Sequence, residues 1–402
     1  MGLDLSAVSR QVRQMSRSAA GSAADVAARA AQALQRYLAA AGEEPRWAQA
    51  ANLSRDGAGF LLAMPVEPLD TVRALPEAPP AYAVVATDGS QIDLDRHGAV
   101  ACYLINIGRV FIRYGHSPTA RLTSSPALYY SEDELYLKEG ARRVLIEGNY
   151  LSARRDVDEG VALAELADEF LTDDLPALAL QDGTLVRWSL TGAERFVQDY
   201  FIERYLGYLE RMRQRGIPVA SYISRPRSPE VVGAIRLMLC PDVDVPAGRG
   251  AKCSECSDVR AGREPSCAPC QGLVDADVLG ARLAEGQRGP LFASLSRINV
   301  ERYGEHLIHF FHMRVGRELC RVELPRWVAA EPELVDRVHA LVYDQCARGG
   351  GYPVAIARAH EQAIVRNADR NAFLRMLEGS LYRAEAAADV SAKKASKEFS
   401  RG

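Results

Sequence analysis

The chain has no apolar run near the roughly 20 residues that a membrane-crossing helix needs, and no apolar leader with a small-residue cleavage site. That predicts a soluble cytoplasmic protein with no membrane partner. Lysine is nearly missing, 5 residues against 44 arginines, and Lys393, Lys394 and Lys397 fall within the last ten positions. An excess of one charge is missing too. Basic and acidic residues number 49 and 52, for a net charge of -3, so any polyanion has to be held by a local patch and not by the overall field. No Gly-x4-Gly-Lys-Ser/Thr phosphate loop occurs, which excludes the usual means of intrinsic ATP hydrolysis. Eight cysteines in 402 residues are too sparse for a secreted disulfide scaffold. What is present is 48% hydrophobic and 25% charged residues, enough to bury a substantial core and to exclude general disorder.

The first 75 residues are rich in Ala and Arg, with Ala23, Val26, Ala30, Leu34 and Leu38 at helical spacing, and they end in the breaker stretch 75–80. They predict a helical N-terminal arm. Next come β-branched and aromatic runs at 82–87, 99–107 and 109–114, separated by Gly98 and Gly108, which predict three strands of an antiparallel meander. A helical pattern at 155–172 places Val157, Val161, Ala164, Asp168 and Leu171 on one line. A short strand at 177–181 follows, then a helix at 194–215, a strand at 219–224 and a helix at 229–239. This order describes an α/β protein with an RNase H-like mixed sheet flanked by helices. Residues 241–290 break the pattern as an insertion inside a domain spanning 80–385. Beyond it the sequence predicts strands at 306–315 and 319–324, helices at 332–346 and 353–377, and a flexible basic tail at 388–402.

Two segments repeat one idea. VVATDGS at 84–90 and LALQDGT at 178–184 each read as a buried strand that ends in Asp-Gly-Ser/Thr. A carboxylate at a strand end is held rigidly, and the glycine behind it lets an ion or phosphate approach the backbone. Asp88 and Asp182 are therefore candidate ligands of a shared divalent metal. A hard cation needs further oxygen donors, and the helix before Asp182 offers Glu159, Glu165, Asp168 and Glu169. Glu165, four residues after Val161, is the one expected at the edge of the apolar stripe. Tyr352 opens a helix after three glycines, and His360 on that helix is flanked by Ile356 and Ile364, so it is expected to point inward.

These motifs make the chain resemble the NurA nucleases over most of residues 80 to 370. The resemblance rests on ATDGSQI at 86–92, a helical Glu about seventeen residues before the second Asp-Gly, LQDGTL at 180–185, FFHMRVGRELCRVELP at 310–325 and GYPVAIARAH at 351–360. It implies an active site of Asp88, Glu165, Asp182, Tyr352 and His360, with Glu169 as the alternative to Glu165. Asp88, Glu165, Asp182 and His360 would hold Mn²⁺ or Mg²⁺, with Mn²⁺ preferred. It further implies 5′-to-3′ resection of DNA double-strand breaks by a homodimer working with a HerA-type hexameric ATPase. The chemistry is two-metal phosphodiester hydrolysis, in which one ion activates water and the other stabilises the leaving oxygen.

Cys253-x2-Cys256-x10-Cys267-x2-Cys270 matches a structural four-thiolate Zn²⁺ site in a reducing compartment, with an iron-sulfur cluster as the rival occupant. Cys102, Cys240, Cys320 and Cys346 lie in apolar stretches and are expected in cores. His306, His309 and His312 are not expected to hold metal, because alternation on a strand separates them. Arg211, Arg213, Arg215, Arg225 and Arg227 flank the 219–224 strand and are a candidate DNA-binding patch, with Tyr222 as a stacking group. A zinc-containing DNA-binding adaptor without catalysis, or an RNase H-like enzyme acting on RNA or hybrid, are the competing functions.

Overall fold

The computed structural model describes residues 4–94, 100–172 and 174–383, the side chains of 17–22 excepted. The turn at Gly98 and the basic tail 388–402 with its three lysines lie outside the described residues. Among the described residues, eleven strands run in chain order as β1 (Ala63–Pro65), β2 (Tyr82–Ile92), β3 (Tyr103–Tyr114), β4 (Thr119–Tyr129), β5 (Tyr136–Glu139), β6 (Arg142–Leu145), β7 (Ala177–Asp182), β8 (Val219–Ile223), β9 (Phe292–Ser294), β10 (Ile308–Val315) and β11 (Glu318–Pro325). The protein is α/β, with mixed sheet flanked by helices, and it divides into two compact units, residues 1–75 with 223–323 and residues 76–222 with 324–402. No helix among the described residues is long and apolar enough to cross a membrane.

In the first unit the strands follow the order β1-β9-β10-β11. A 35-residue helix, Leu5–Ala39, starts where Asp4 caps the backbone N–H groups of Ser6 and Ala7 at 3.0 Å each. Its second half buries Ala30, Ala33 and Tyr37 beside Trp47, Val231, Ile235, Leu273 and Phe292. Residues 1–75 are thus not a separate arm. They share a core with the cysteine-bearing segment, and deleting them would open that core.

In the second unit the order is β8-β7-β2-β3-β4. β2, β3 and β4 are antiparallel, whereas β2–β7 and β7–β8 are parallel. The meander is present with different boundaries. Residues 103–114 form one strand, and Gly108 sits within it opposite Asp88. No side chain fits at that point: a Cβ on Gly108 would lie 2.0 Å from the Ala359 carbonyl oxygen, because the helix Val354–Ala363 crosses there. The third strand is β4, a polar segment exposed along most of its length.

The helix Asn149–Phe170 covers the other face, and Thr87 Oγ1 donates to the Glu159 carbonyl at 2.9 Å. The helix Arg195–Gln214 packs against it so closely that a Cβ on Gly160 would meet the Tyr208 ring at 2.3 Å. The single helix expected at 353–377 is two, Val354–Ala363 and Asn367–Arg383. Ile364 leaves helical geometry at ψ 124, and the Ala363 carbonyl is taken by Asn106 Nδ2 at 2.8 Å and by the Ser90 hydroxyl.

Candidate active site

β2 and β7 run parallel with Thr87 level with Gln181, so Asp88 and Asp182 arrive side by side at the same end of the sheet. Their glycines do different work. Gly183 takes φ +74°, a left-handed turn that suits glycine, whereas Gly89 continues β2 and makes room. A Cβ there would fall 2.5 Å from Glu159 Oε1 and 2.7 Å from Arg155 Cγ. Asp182 is exposed, while Gln181 beside it is buried and accepts from Tyr208 Oη at 2.5 Å.

The segment 351–363 delivers one partner to each aspartate. Tyr352 Oη donates to Asp182 Oδ1 at 2.6 Å, and His360 Nδ1 lies 2.7 Å from Asp88 Oδ2. Three anchors set this helix in place. Gln345 Oε1 accepts from the Ala355 N–H at 3.1 Å, Gly108 lies beneath the middle, and Asn106 with Ser90 holds the last carbonyl. His360 does not point inward as its flanking isoleucines suggested. The buried face is Ala355, Ile356, Ala359 and Ala363, and His360 reaches Asp88 from an exposed position.

Tyr222, expected as an exposed stacking group, is fully buried and meets the Tyr352 ring edge to face at 5.4 Å. It supports the phenol and is not accessible to a base. Burial first, then the hydrogen bond to Asp182 and the charges of Asp182 and Asp88, push the Tyr352 phenol above its ordinary value, so it stays a donor at neutral pH. Tyr352→Phe removes that donor. A hydrogen bond to a charged group contributes about 1.5–3 kcal/mol, so a drop of about ten- to a hundredfold in nuclease rate is expected from single-turnover assays.

The structure places the helical acids differently from what their spacing suggests. Glu165 is half exposed and paired with Arg109 at 3.1 Å, and Glu169 lies 3.9 Å from the same guanidinium. Val161, which set the expected helical phase, is itself exposed, so Glu165 turns outward with it. Direction matters as well. The chain climbs the Asn149–Phe170 helix and then returns along β7, so the strand end lies near the first half of the helix. Glu159 comes from that half. It is buried against Gly89, Arg155 Nε lies 3.2 Å from its Oε1, and Asp156 beside it pairs with Arg187 at 2.7 Å.

Burial, then the charge of Asp156 and, more weakly, that of Asp88, raise the Glu159 carboxyl to about 8, against the lowering pull of Arg155 and Arg187. The folded chain therefore holds this proton more tightly than the unfolded one. The stabilising contribution is complete below the ordinary value of 4.5 and is lost as pH rises through about 8. In chelator-treated protein, Glu159→Gln should raise Tm at pH 8.5 while changing it little at pH 5, as read by thermal circular dichroism. Equal Tm differences at the two pH values would count against a proton held at Glu159.

The arginine patch is largely engaged elsewhere. Arg211 and Arg215 bind Asp168, and Arg215 also donates to the Ala167 and Leu171 carbonyls, so they close the end of the Asn149–Phe170 helix where β7 starts. That is the end of the strands away from Asp88 and Asp182. Arg213 pairs with Glu210 at 2.8 Å and Arg225 with Glu318 at 2.6 Å, while Arg227 is exposed. His306 precedes β10 in a short 3-10 turn, and His312 is buried in β10, where burial and then Arg321 lower it to about 3.

Among the described residues, no group of three or more His, Cys, Asp or Glu side chains is gathered closely enough to hold a metal ion. The site comes together as two ordered pairs, Asp88 with His360 and Asp182 with Tyr352, beside a buried Glu159. No curated protein and no solved structure matches the chain. The family model described as the NurA domain matches residues 82–365, from the first residue of β2 to two residues past the helix that carries His360. A match over well over half of the chain that takes in all three carboxylates and both of their partners shows that the chain belongs to the NurA family and is a nuclease.

Proposed function

We propose that the chain is a divalent-metal-dependent deoxyribonuclease that resects double-strand-break ends 5′ to 3′ as a homodimer, driven by a HerA-type hexameric ATPase. The observation that carries this reading is the arrival of two strand-end aspartates at one level of the sheet, each paired with a group from the 351–363 segment. Three antiparallel strands continued by two parallel ones, with helices packed on them, support the RNase H-like architecture.

The donor set fits Mn²⁺ or Mg²⁺. Asp88, Asp182 and Glu159 offer carboxylate oxygens and His360 a ring nitrogen, all hard or borderline donors. Burial first, then the charges of Asp156 and Asp88, hold the proton on Glu159, and a bound divalent cation would favour its ionised form. When bound there, such ions would supply Lewis-acid stabilisation of the charge that develops on the phosphodiester oxygens.

The chain's own residues orient the reaction. Tyr352, kept protonated, has one hydroxyl proton, held by Asp182 here, which would turn to a non-bridging phosphate oxygen once that carboxylate takes an ion. His360 Nδ1 pairs with the Asp88 carboxylate, which orients the ring and leaves Nε2 as the nitrogen that would bind an ion. Arg155, beside Glu159, offsets part of the local negative charge.

The absence of a phosphate loop leaves strand separation to a partner motor. The test is a panel of labelled single-stranded DNA, duplex DNA, RNA and hybrid with Mn²⁺ or Mg²⁺, run with and without the ATPase. Metal-dependent loss of DNA from 5′ ends, stimulated on duplex by the ATPase, is expected. Exclusive loss of RNA would replace the reading with an RNA or hybrid nuclease, and intact substrates throughout would leave the adaptor function.

A further inference from the structure

One cavity in the unit of residues 1–75 and 223–323 gathers chemistry that the nuclease site does not use. It encloses about 110 Å³, several times the share of one water molecule, and is lined by Cys240, Cys253, Cys256 and Cys267, with Arg236 and Asp242 alongside. Cys270, which completes the spacing motif, is not in this lining. It is 3% exposed and packs in the apolar cluster that contains Ala30, Tyr37 and Leu273.

The four lining thiols come from three separate stretches of chain. Cys240 lies two residues past the helix Glu230–Met238, Cys253 and Cys256 bracket one short 3-10 turn, and Cys267 opens another. Cys253 is fixed to the wall by its N–H, which donates to the Gly57 carbonyl at 3.0 Å. The Arg236 guanidinium, stacked 3.9 Å over Phe60, brings Nη2 to 3.7 Å from Cys267 Sγ. A guanidinium there would offset negative charge on a cluster of metal-bound sulfurs. Arg236 Nε is buried with no hydrogen-bond partner, so the side chain has a donor to spare for an anionic cluster.

We propose that this cavity is a tetrahedral thiolate site for a zinc-class divalent ion, with Cys240, Cys253, Cys256 and Cys267 as its ligands and Cys270 as a core residue. The assignment exchanges the roles that spacing gives Cys240 and Cys270. The thiols stand apart as they are arranged, so binding draws them inward by side-chain rotation within the cavity. Four thiolates around a dication leave two negative charges, which Arg236 and Lys252 on the same wall offset. Cys270 is the rival ligand, since its backbone N–H reaches the Cys267 carbonyl at 3.1 Å through the short turn between them.

The test uses the full chain purified from zinc-supplemented cells, with metal content by mass spectrometry and the absorption spectrum after Co²⁺ exchange. Wild type is expected to hold one zinc per chain and to show a four-thiolate cobalt spectrum. Cys240→Ser should lose zinc or bind it at least about tenfold more weakly, a change of about 1.4 kcal/mol. Cys270→Ala should keep one zinc and the wild-type spectrum, with circular dichroism confirming that the variant folds. Full zinc and an unchanged spectrum in Cys240→Ser overturn the assignment on their own, whatever Cys270→Ala does. Wild type without bound metal, or with iron and visible absorbance, also overturns it. None of these readouts involves DNA cleavage, so they leave the nuclease reading untouched.

Discussion

Asp88→Asn and Asp182→Asn should each cut manganese-dependent DNA hydrolysis by at least about a thousandfold while the protein remains folded. An amide matches the carboxylate in shape, so the variants remove charge with little change in packing. Stabilisation of transition-state charge by bound ions amounts to several kcal/mol, and each ~1.4 kcal/mol is a factor of ten in rate. Asp182 is exposed, so its replacement should leave Tm nearly unchanged. At Asp88 the amide oxygen can still accept from His360, and the change removes a charge that raises Glu159. Initial rates on labelled DNA, set beside thermal melts, check both halves. Activity within about tenfold of wild type in either variant would sink the paired-aspartate site. Glu159→Gln and Glu165→Gln assayed together separate the two helical acids: the first should be inactive and the second close to wild type.

The second large effect is expected at a residue that has no side chain. Gly108→Ala adds one methyl at a point where a Cβ would stand 2.0 Å from the Ala359 oxygen and 2.7 Å from the Ala363 nitrogen. Both contacts are backbone, so no side chain can swing away and the whole Val354–Ala363 helix has to lift. Overpacking of this kind costs about 1–3 kcal/mol, and more where the backbone is held. The helix is held at both ends, by Gln345 at its start and by Asn106 at its last carbonyl. The cost therefore falls on stability and on the placement of His360 together. Displacing a catalytic group by about 1 Å can cost a hundredfold in rate. The expected result is a clear drop in Tm together with a rate loss of that order. Gly207→Ala is the control, because nothing lies within 4 Å of a Cβ there, and in the interior of a helix the change should stabilise by about 1 kcal/mol. A Gly108→Ala protein with wild-type Tm and rate would mean that the helix does not seat on β3 as described.

Much of the candidate site was legible in the sequence because its signals are local. Asp88 and Asp182 stand in matched strand-end motifs, and Tyr352 and His360 share one short helix. Glu159 was harder to see. The phase of its helix is set by Gly160 meeting the Tyr208 ring and by Thr87 bonding the Glu159 carbonyl, contacts between segments far apart in the chain. Counting apolar positions put Val161 inside and Glu165 with it, and both are exposed or half exposed. Gly108 read as a turn because glycine more often punctuates strands than serves as a seat for a crossing helix. β4 carried little signal at all, since its composition is polar. It forms because β3 offers it a continuous edge, paired from Tyr103–Tyr129 to Arg113–Thr119. The arginines near β8 looked free only because a partner such as Asp168 lies more than forty residues away in sequence.

The two pairs that make the site span most of the chain, with 272 positions between Asp88 and His360 and 170 between Asp182 and Tyr352. A nascent chain that has left the ribosome as far as residue 340 already carries both aspartates, yet it has neither of the groups that complete them. If the two pairs act in cleavage as proposed, competence is expected only near the end of translation. On that reading, a fragment from stalled synthesis or C-terminal proteolysis would retain the two strand-end aspartates without the tyrosine and histidine proposed to complete them.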